Sequence, residues 1–344
     1  MTLGEACEGK TAAIHRFAEL SHPVAPLTIY YAFKQSETTE EHGTISPGWI
    51  SFLGAVQHAG LEVVGTWPLR TENSSRMIGQ GTNALASSIV LVCRKRSPEA
   101  SMATRREFVQ ALQRELPKAL VDLQHGNIAP VDLPQSSIGP GMAIFSRYAK
   151  VVESDGKPMT VRTALQLINQ AVDEFLSEQE AQMDDWTRFA ITWFTQFGLK
   201  QGPYGDAQNI ANARNVTVEG VRDAGILETG GGKVRLLGIE ELDQDWSPST
   251  DTRCTVWEVV HHLIKRLNEG GEEAAAKLLK EVGGLGEDAR ALCYRLYTLC
   301  EQKKWADEAR AYNTLISSWP SLAKLSDNLA LTGNQSQSQS ELGL

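Results

Sequence analysis

The chain has no CxxC pair, no apolar run approaching the length of a membrane span, and no glycine-rich turn linking an opening strand to a helix. Each absence removes a class of function. Without close pairs, the cysteines (Cys7, Cys93, Cys254, Cys293 and Cys300) are expected as buried or free thiols rather than zinc ligands or redox centres. No segment offers the roughly 20 apolar residues that a membrane helix needs, so no membrane partner is expected. The N-terminus carries Glu5 and Glu8 and no apolar stretch, unlike a secretory signal, which predicts a cytoplasmic protein. Gly230-Gly231-Gly232-Lys233 lacks the leading glycine and the following Ser or Thr of a phosphate loop. No Gly-x-Ser-x-Gly elbow presents a serine nucleophile. His261 and His262 are adjacent and face different sides of a helix, and His15, His22, His42, His58 and His125 have no carboxylate or cysteine at ligand spacing. All seven are expected as structural or surface histidines. A net charge of -9 excludes coating of nucleic acid by bulk electrostatics.

What the sequence does contain is an α/β opening followed by mainly helical segments. With 344 residues, the chain has room for two or three domains with their own cores. Residues 1–22 predict a helix. Leu27 to Phe33, β-branched and aromatic, predicts a strand buried on both faces. Trp49 to His58 carries a helical apolar stripe that stops at Gly60, and Leu61 to Trp67 and Ser88 to Cys93 predict an antiparallel pair of strands. This first domain covers 1–97. A helical connector follows over 98–182. It opens with a Thr104/Glu107 capping box, should kink or divide at Pro117, and has no clear periodicity over Gly126 to Arg147. Residues 183–245 read as three helices and a hairpin around Thr229-Gly230-Gly231-Gly232, a winged-helix-like unit. Residues 250–325 read as a bundle of four helices punctuated by Gly270-Gly271, Gly283-Gly284 and Lys303-Lys304. The Asn-Gln-Ser-rich tail, 326–344, is expected to be disordered.

The runs Tyr30 to Glu37, Gly65 to Glu72 and Ala84 to Arg94 resemble the far end of a family of large proteins similar to adenine-specific DNA methylases. Members carry a domain of unknown function and occur in anti-phage defence clusters. The likeness continues through Asn127 to Leu133, Ile138-Gly139-Pro140-Gly141-Met142, Phe145 to Tyr148 and Met159 to Leu165, as far as about Trp319. It implies that the chain is the C-terminal portion of a DNA adenine methyltransferase, containing the C-terminal half of a Rossmann-like methyltransferase sheet. The complete enzyme would use S-adenosylmethionine and act on a base amine of DNA. Its partners would be DNA, an N-terminal methyltransferase part or a chain encoded upstream, and other defence-system proteins.

The motifs such an enzyme needs are a glycine turn after the first strand and an acidic or Asn-Pro-Pro-aromatic loop. Neither is here. Asp132-Leu133-Pro134-Gln135 has one proline, no aromatic, and lies after the last strand. This chain alone is therefore expected to hold no cofactor, no metal and no catalytic residue. The alternative is a non-catalytic DNA- or protein-binding module of a defence complex. The residues placed for DNA contact are Lys34 and Gln35, leaving the end of a strand, and Trp67 and Arg70, on the strand and loop that approach the target base in related methyltransferases. Trp67 can stack on an extruded base and Arg70 can hold a phosphate, or Trp67 is a core aromatic closing a strand. Arg222, Lys233 and Arg235 can contact DNA from the third helix and the wing, yet Glu219, Asp223 and Glu228 balance them, so protein contact stays equally open. Arg94-Lys95-Arg96 and Arg105-Arg106 can touch phosphate, or are solvated element ends. An exposed edge along Leu27 to Phe33 would favour a truncated or split enzyme, and an edge covered by residues 1–22 an independent module.

Overall fold

The computed structural model describes the backbone of residues 3–22, 24–31, 47–70 and 87–341. It describes their side chains except at 3–8, 10, 47, 68–70, 87, 88 and 330–341. The protein is mixed α/β, mostly helical, with small sheets, and forms two compact units, Met1–Phe175 and Leu176–Leu344. Among the described residues no helix is long and apolar enough to cross a membrane.

The first unit is built on a three-stranded antiparallel sheet. Its strands are β1 (Leu27–Tyr31), β2 (Leu61–Arg70) and β3 (Ser87–Lys95), and β3 lies in the centre. Since β3 runs against both neighbours, β1 and β2 point the same way, joined through α2 (Pro47–His58). The strand buried on both faces is β3, where Ile89 to Cys93 are all buried. The corresponding expectation for Leu27 to Phe33 is corrected. β1 is an edge strand that alternates half-buried Leu27, Ile29 and Tyr31 with exposed Thr28 and Tyr30, because one of its sides has no neighbouring strand among the described residues. Ala32 and Phe33 lie outside the described residues. Tyr31 packs on Trp49 and Phe52 of α2, and α1 (Leu3–Leu20) packs on α2.

Two helices then close over β2. β4 (Met102–Thr104) leads into α3 (Arg105–His125), whose N-terminus carries the Thr104/Glu107 capping box. Contrary to expectation, Pro117 neither divides nor ends α3. The helix runs on through it, and Gln113, four residues earlier, where a carbonyl loses its partner, is exposed to water. The aperiodic stretch before Arg147 is α4 (Leu133–Ser146). It shows no stripe because it is buried on nearly every side, so no face needs to be polar. Small residues let it sit deep. A Cβ at Gly139 would collide with Thr66 of β2, and one at Gly141 with Ile168 of α5 (Val161–Ala181). The Val63 amide of β2 donates to the Ser146 hydroxyl at 2.8 Å.

Four of the basic residues read as phosphate candidates or solvated element ends make contacts within this unit. Arg96 donates to the carbonyls of Gln57 (2.8 Å), Tyr148 (2.9 Å) and Ser146 (3.4 Å), clasping the C-terminal ends of α2 and α4. Arg94 donates to Val24 O at 2.9 Å, and Arg105 pairs with Glu153 at 3.1 Å. Lys95 reaches Glu19 O at 3.5 Å. β5 (Lys150–Val152) pairs in parallel with β4.

The second unit opens with α6 (Asp185–Phe197), β6 (Gly202–Pro203), α7 (Tyr204–Ala213) and α8 (Val218–Asp223). The hairpin β7 (Leu227–Gly230) and β8 (Lys233–Leu236) follows. The strands form an antiparallel sheet in the order β6-β8-β7. The hairpin turn is Gly231-Gly232, with φ of 57 and 72, a left-handed pair that glycine adopts without a side-chain penalty. Three long helices complete the unit: α9 (Val256–Val282), α10 (Leu285–Lys303) and α11 (Ala306–Glu341). The expected break at Gly270-Gly271 is present as a kink in α9, where Gly271 takes φ 68. At the tail the structure carries helix where low complexity predicts disorder, since α11 extends from Ala306 to Glu341. Past Pro320 the segment has a single glycine, Gly333, before Glu341, so the helix propagates from its packed N-terminal half.

Side-chain caps tie the two parts of this unit. Asp184 Oδ2 accepts from the Val256 amide (3.1 Å) and Thr187 Oγ1 from the Trp257 amide (3.0 Å), so the start of α6 satisfies the start of α9.

Replacing Gly139 with Ala should destabilise the first unit by about 1–3 kcal/mol, because a methyl has no room against Thr66. Urea unfolding of G139A and of the double variant with Thr66→Gly measures this. The second change should restore much of the loss.

Candidate functional site

A cleft of about 660 Å³ lies between β2, α3 and α4 in the first unit. Its origin is local. The β2–β3 register shifts between Val63 and Gly65, a bulge that leaves Val64 exposed and re-aims the strand that follows. Trp67 stands at the cleft, 59% exposed, with its ring in van der Waals range of the Gly65 position on β2. Opposite, α3 contributes Glu115, Ala119, Asp122 and Leu123, spaced so that they share one face. Ile128, Pro140, Ile144 and Arg147 complete the lining.

The charges in this cleft are unequal. Arg147 grips Glu115 with two bonds of 2.7 and 2.9 Å, and this holds the Glu115 carboxyl down at about 2. Arg114 adds a third bond at 2.7 Å. Asp122 makes no hydrogen bond or ion pair through its carboxylate among the described residues. The arrangement therefore offers an exposed aromatic face, apolar walls and one uncompensated negative charge. It can accept a flat group that carries a donor or a positive charge.

Of the residues placed from sequence, Trp67 lies at this cleft. Lys34 and Gln35 lie outside the described residues, and Arg70 ends β2 with its side chain outside them. The other three lie in the second unit. Arg222 is exposed on α8 and pairs with Asp223 at 3.0 Å. Lys233 begins β8, exposed. Arg235 is held between Glu228 (2.5 Å) and Glu241 (2.5 Å), which drives its guanidinium upward and Glu241 down to about 2. Such a guanidinium has its donors engaged by carboxylates, Glu228 from the hairpin itself and Glu241 just after it. Tyr204 donates to Glu219 at 2.6 Å on the same surface. Sequence reasoning missed Glu115, Asp122 and Arg147. The seven-residue spacing of the two carboxylates in one helix was the available signal, but the return of α4 against α3 was not visible in it.

No glycine turn is open to a cofactor in Gly139-Pro140-Gly141, which lies inside α4 with both glycines covered by Thr66 and Ile168. Among the described residues no group of three or more His, Cys, Asp and Glu is placed to hold a metal ion.

Residues 184–342 match the family model of a domain of unknown function (DUF8807). The match starts at Asp184, the cap of α6, and takes in the three short helices, the hairpin and the long helices of the second unit. No curated protein and no solved structure matches the chain.

Among the buried ionisable groups of that matched segment are His261, His262 and Glu258. His261 bridges Trp257 O (2.7 Å) and the Tyr312 hydroxyl (3.1 Å), and burial pushes it down to about 4. His262 stacks on Trp246 at 4.1 Å and is also pushed down to about 4, by burial first and then by His261, Arg266 and Lys265. Glu258 closes a capping box with Thr255, and burial pushes it up to about 8. The histidines contribute stability that is complete above about 6.5 and is lost as pH falls through 4. Glu258 contributes stability that is complete below 4.5 and is lost as pH rises through 8. The melting temperature should therefore peak near pH 6.5. In Glu258→Gln, which keeps an acceptor for the cap, the decline between pH 6.5 and 8 should flatten while the acid limb stays. Scanning calorimetry across pH 4–9 checks both limbs.

Proposed function

We propose that this chain is the C-terminal portion of an S-adenosylmethionine-dependent DNA adenine methyltransferase of a phage-defence system, and that the methyl-transfer chemistry resides in another part or chain. The observation that carries this reading is the sheet. Two strands that run the same way, joined through a helix, receive a third strand antiparallel between them. This is how the closing end of a Rossmann-like methyltransferase sheet would be built. The outer side of β1 has no strand neighbour among the described residues, at the place where such a sheet would continue. Trp67, at the mouth of its cleft, supports stacking on an extruded base. The cofactor itself does not fit the residues present, since Gly139-Pro140-Gly141 is covered within α4.

A second reading, a non-catalytic module that binds other defence proteins, is favoured by one observation in the second unit. Its helix–strand–helix–helix–hairpin order and β6-β8-β7 sheet support a winged helix. On that unit, however, Arg222 and Arg235 are paired with carboxylates, and Glu219 shares the surface. A DNA-reading face presents free cations, so protein contact suits this surface better.

Calorimetric titration with S-adenosylmethionine tests the first reading, on the chain alone and mixed with the protein encoded immediately upstream. Binding only by the mixture is the expected result. Binding by the chain alone would overturn the assignment of the chemistry elsewhere, and no binding in either case would leave the non-catalytic module.

A further inference from the structure

We propose that the cleft beside Trp67 receives a guanidinium group, the arginine side chain of a partner protein. This goes beyond the methyltransferase reading and competes with base stacking at the same tryptophan. Three observations converge on it. Trp67 presents an exposed indole face, and tryptophan is the aromatic that attracts a cation most strongly. Asp122 supplies a carboxylate with no partner among the described residues. Val64, Leu123, Ile128 and Pro140 line the cleft with apolar surface suited to an aliphatic stem.

Charge decides between this occupant and a nucleotide. A nucleotide brings phosphate, and among the described residues the lining has no free cation to meet it, since Arg147 is bound twice to Glu115. Elsewhere in the unit, Arg94 and Arg96 donate to backbone carbonyls, and Arg105 pairs with Glu153. Lys118, one turn before Asp122 on α3, is not part of the lining and makes no ion pair with it among the described residues. The uncompensated charge in the cleft is therefore negative. Arginine fits better than lysine because its planar guanidinium can stack on the indole while its edge meets a carboxylate.

The experiment follows the indole N–H signal of Trp67 by NMR in the full chain, assigned by its loss in Trp67→Phe. The probes are acetyl-Gly-Arg-Gly-amide, its lysine and citrulline counterparts, and adenosine. The arginine peptide should shift the signal saturably, the lysine peptide should bind more weakly, and the uncharged citrulline peptide should not bind. Asp122→Asn should weaken the arginine peptide about threefold, the scale of one exposed charge pair. Both Trp67 and Asp122 are exposed, and an unchanged melting temperature will show that each variant folds. Equal binding of arginine and citrulline peptides, an unaffected D122N, or no shift with any peptide would overturn the proposal. Binding of adenosine in place of the arginine peptide would do so too, and would return the cleft to base stacking. None of these outcomes bears on the S-adenosylmethionine titration, so the two readings fail separately.

Discussion

The close approach of α4 to β2 is the contact on which the first unit depends. Gly139 lets the helix backbone come down onto Thr66, and the Ser146 hydroxyl receives the Val63 amide beside the strand's bulge. Arg96 then fastens the ends of α2 and α4 through three carbonyls. With α4 fixed, Arg147 just beyond it reaches Glu115 of α3, and the space left between the three elements is the cleft. A larger residue at 139 would lift the helix and open that space to solvent.

The second unit depends on a different device, the satisfaction of one helix start by another. Asp184 and Thr187 accept the first amides of α9, so α6 and α9 are positioned by hydrogen bonds rather than by apolar fit alone. Around this junction Phe194 meets both Trp257 and Trp305 edge-on, and Trp257 stacks on His261. The family match runs over the same residues, from Asp184 through the long helices. Residues that read as a winged unit and a separate bundle share one set of caps and one aromatic core.

Charge in this protein is mostly spent internally. Arg94, Arg96, Arg105, Arg147, Arg222 and Arg235 all read as candidate anion contacts or lie beside them, and each has a carbonyl or carboxylate partner. A formal count of basic residues therefore overstates what is offered to a ligand. The exposed groups that remain at the cleft, Trp67 and Asp122, are aromatic and acidic.

Much of the local structure was legible in the sequence because it is governed by neighbours. The Thr104/Glu107 capping box, the Gly231-Gly232 turn and the break at Gly271 follow from residue types at short spacing, and each is present. The strand-helix-strand-strand order from Leu27 to Cys93 and the helices and hairpin from Asp184 to Leu237 were legible for the same reason, whereas α4 and the short strands β4, β5 and β6 were not. Burial and partnership were not. Leu27 to Tyr31 has the composition of an inner strand but lies at an edge, since composition does not say which strand β3 will choose as neighbour. Residues 133–146 carried no helical stripe because all their surroundings are protein, a property of the assembled unit. The partner of Arg235 sits on a strand and a turn brought together by the hairpin, and that of Arg147 lies 32 residues away on another helix. The sequence by itself determined the caps, the turns and most of the longer elements, because these rest on contacts within a few residues. Only the tertiary structure decided which charges are free, because that depends on groups far apart in the chain meeting at hydrogen-bond distance.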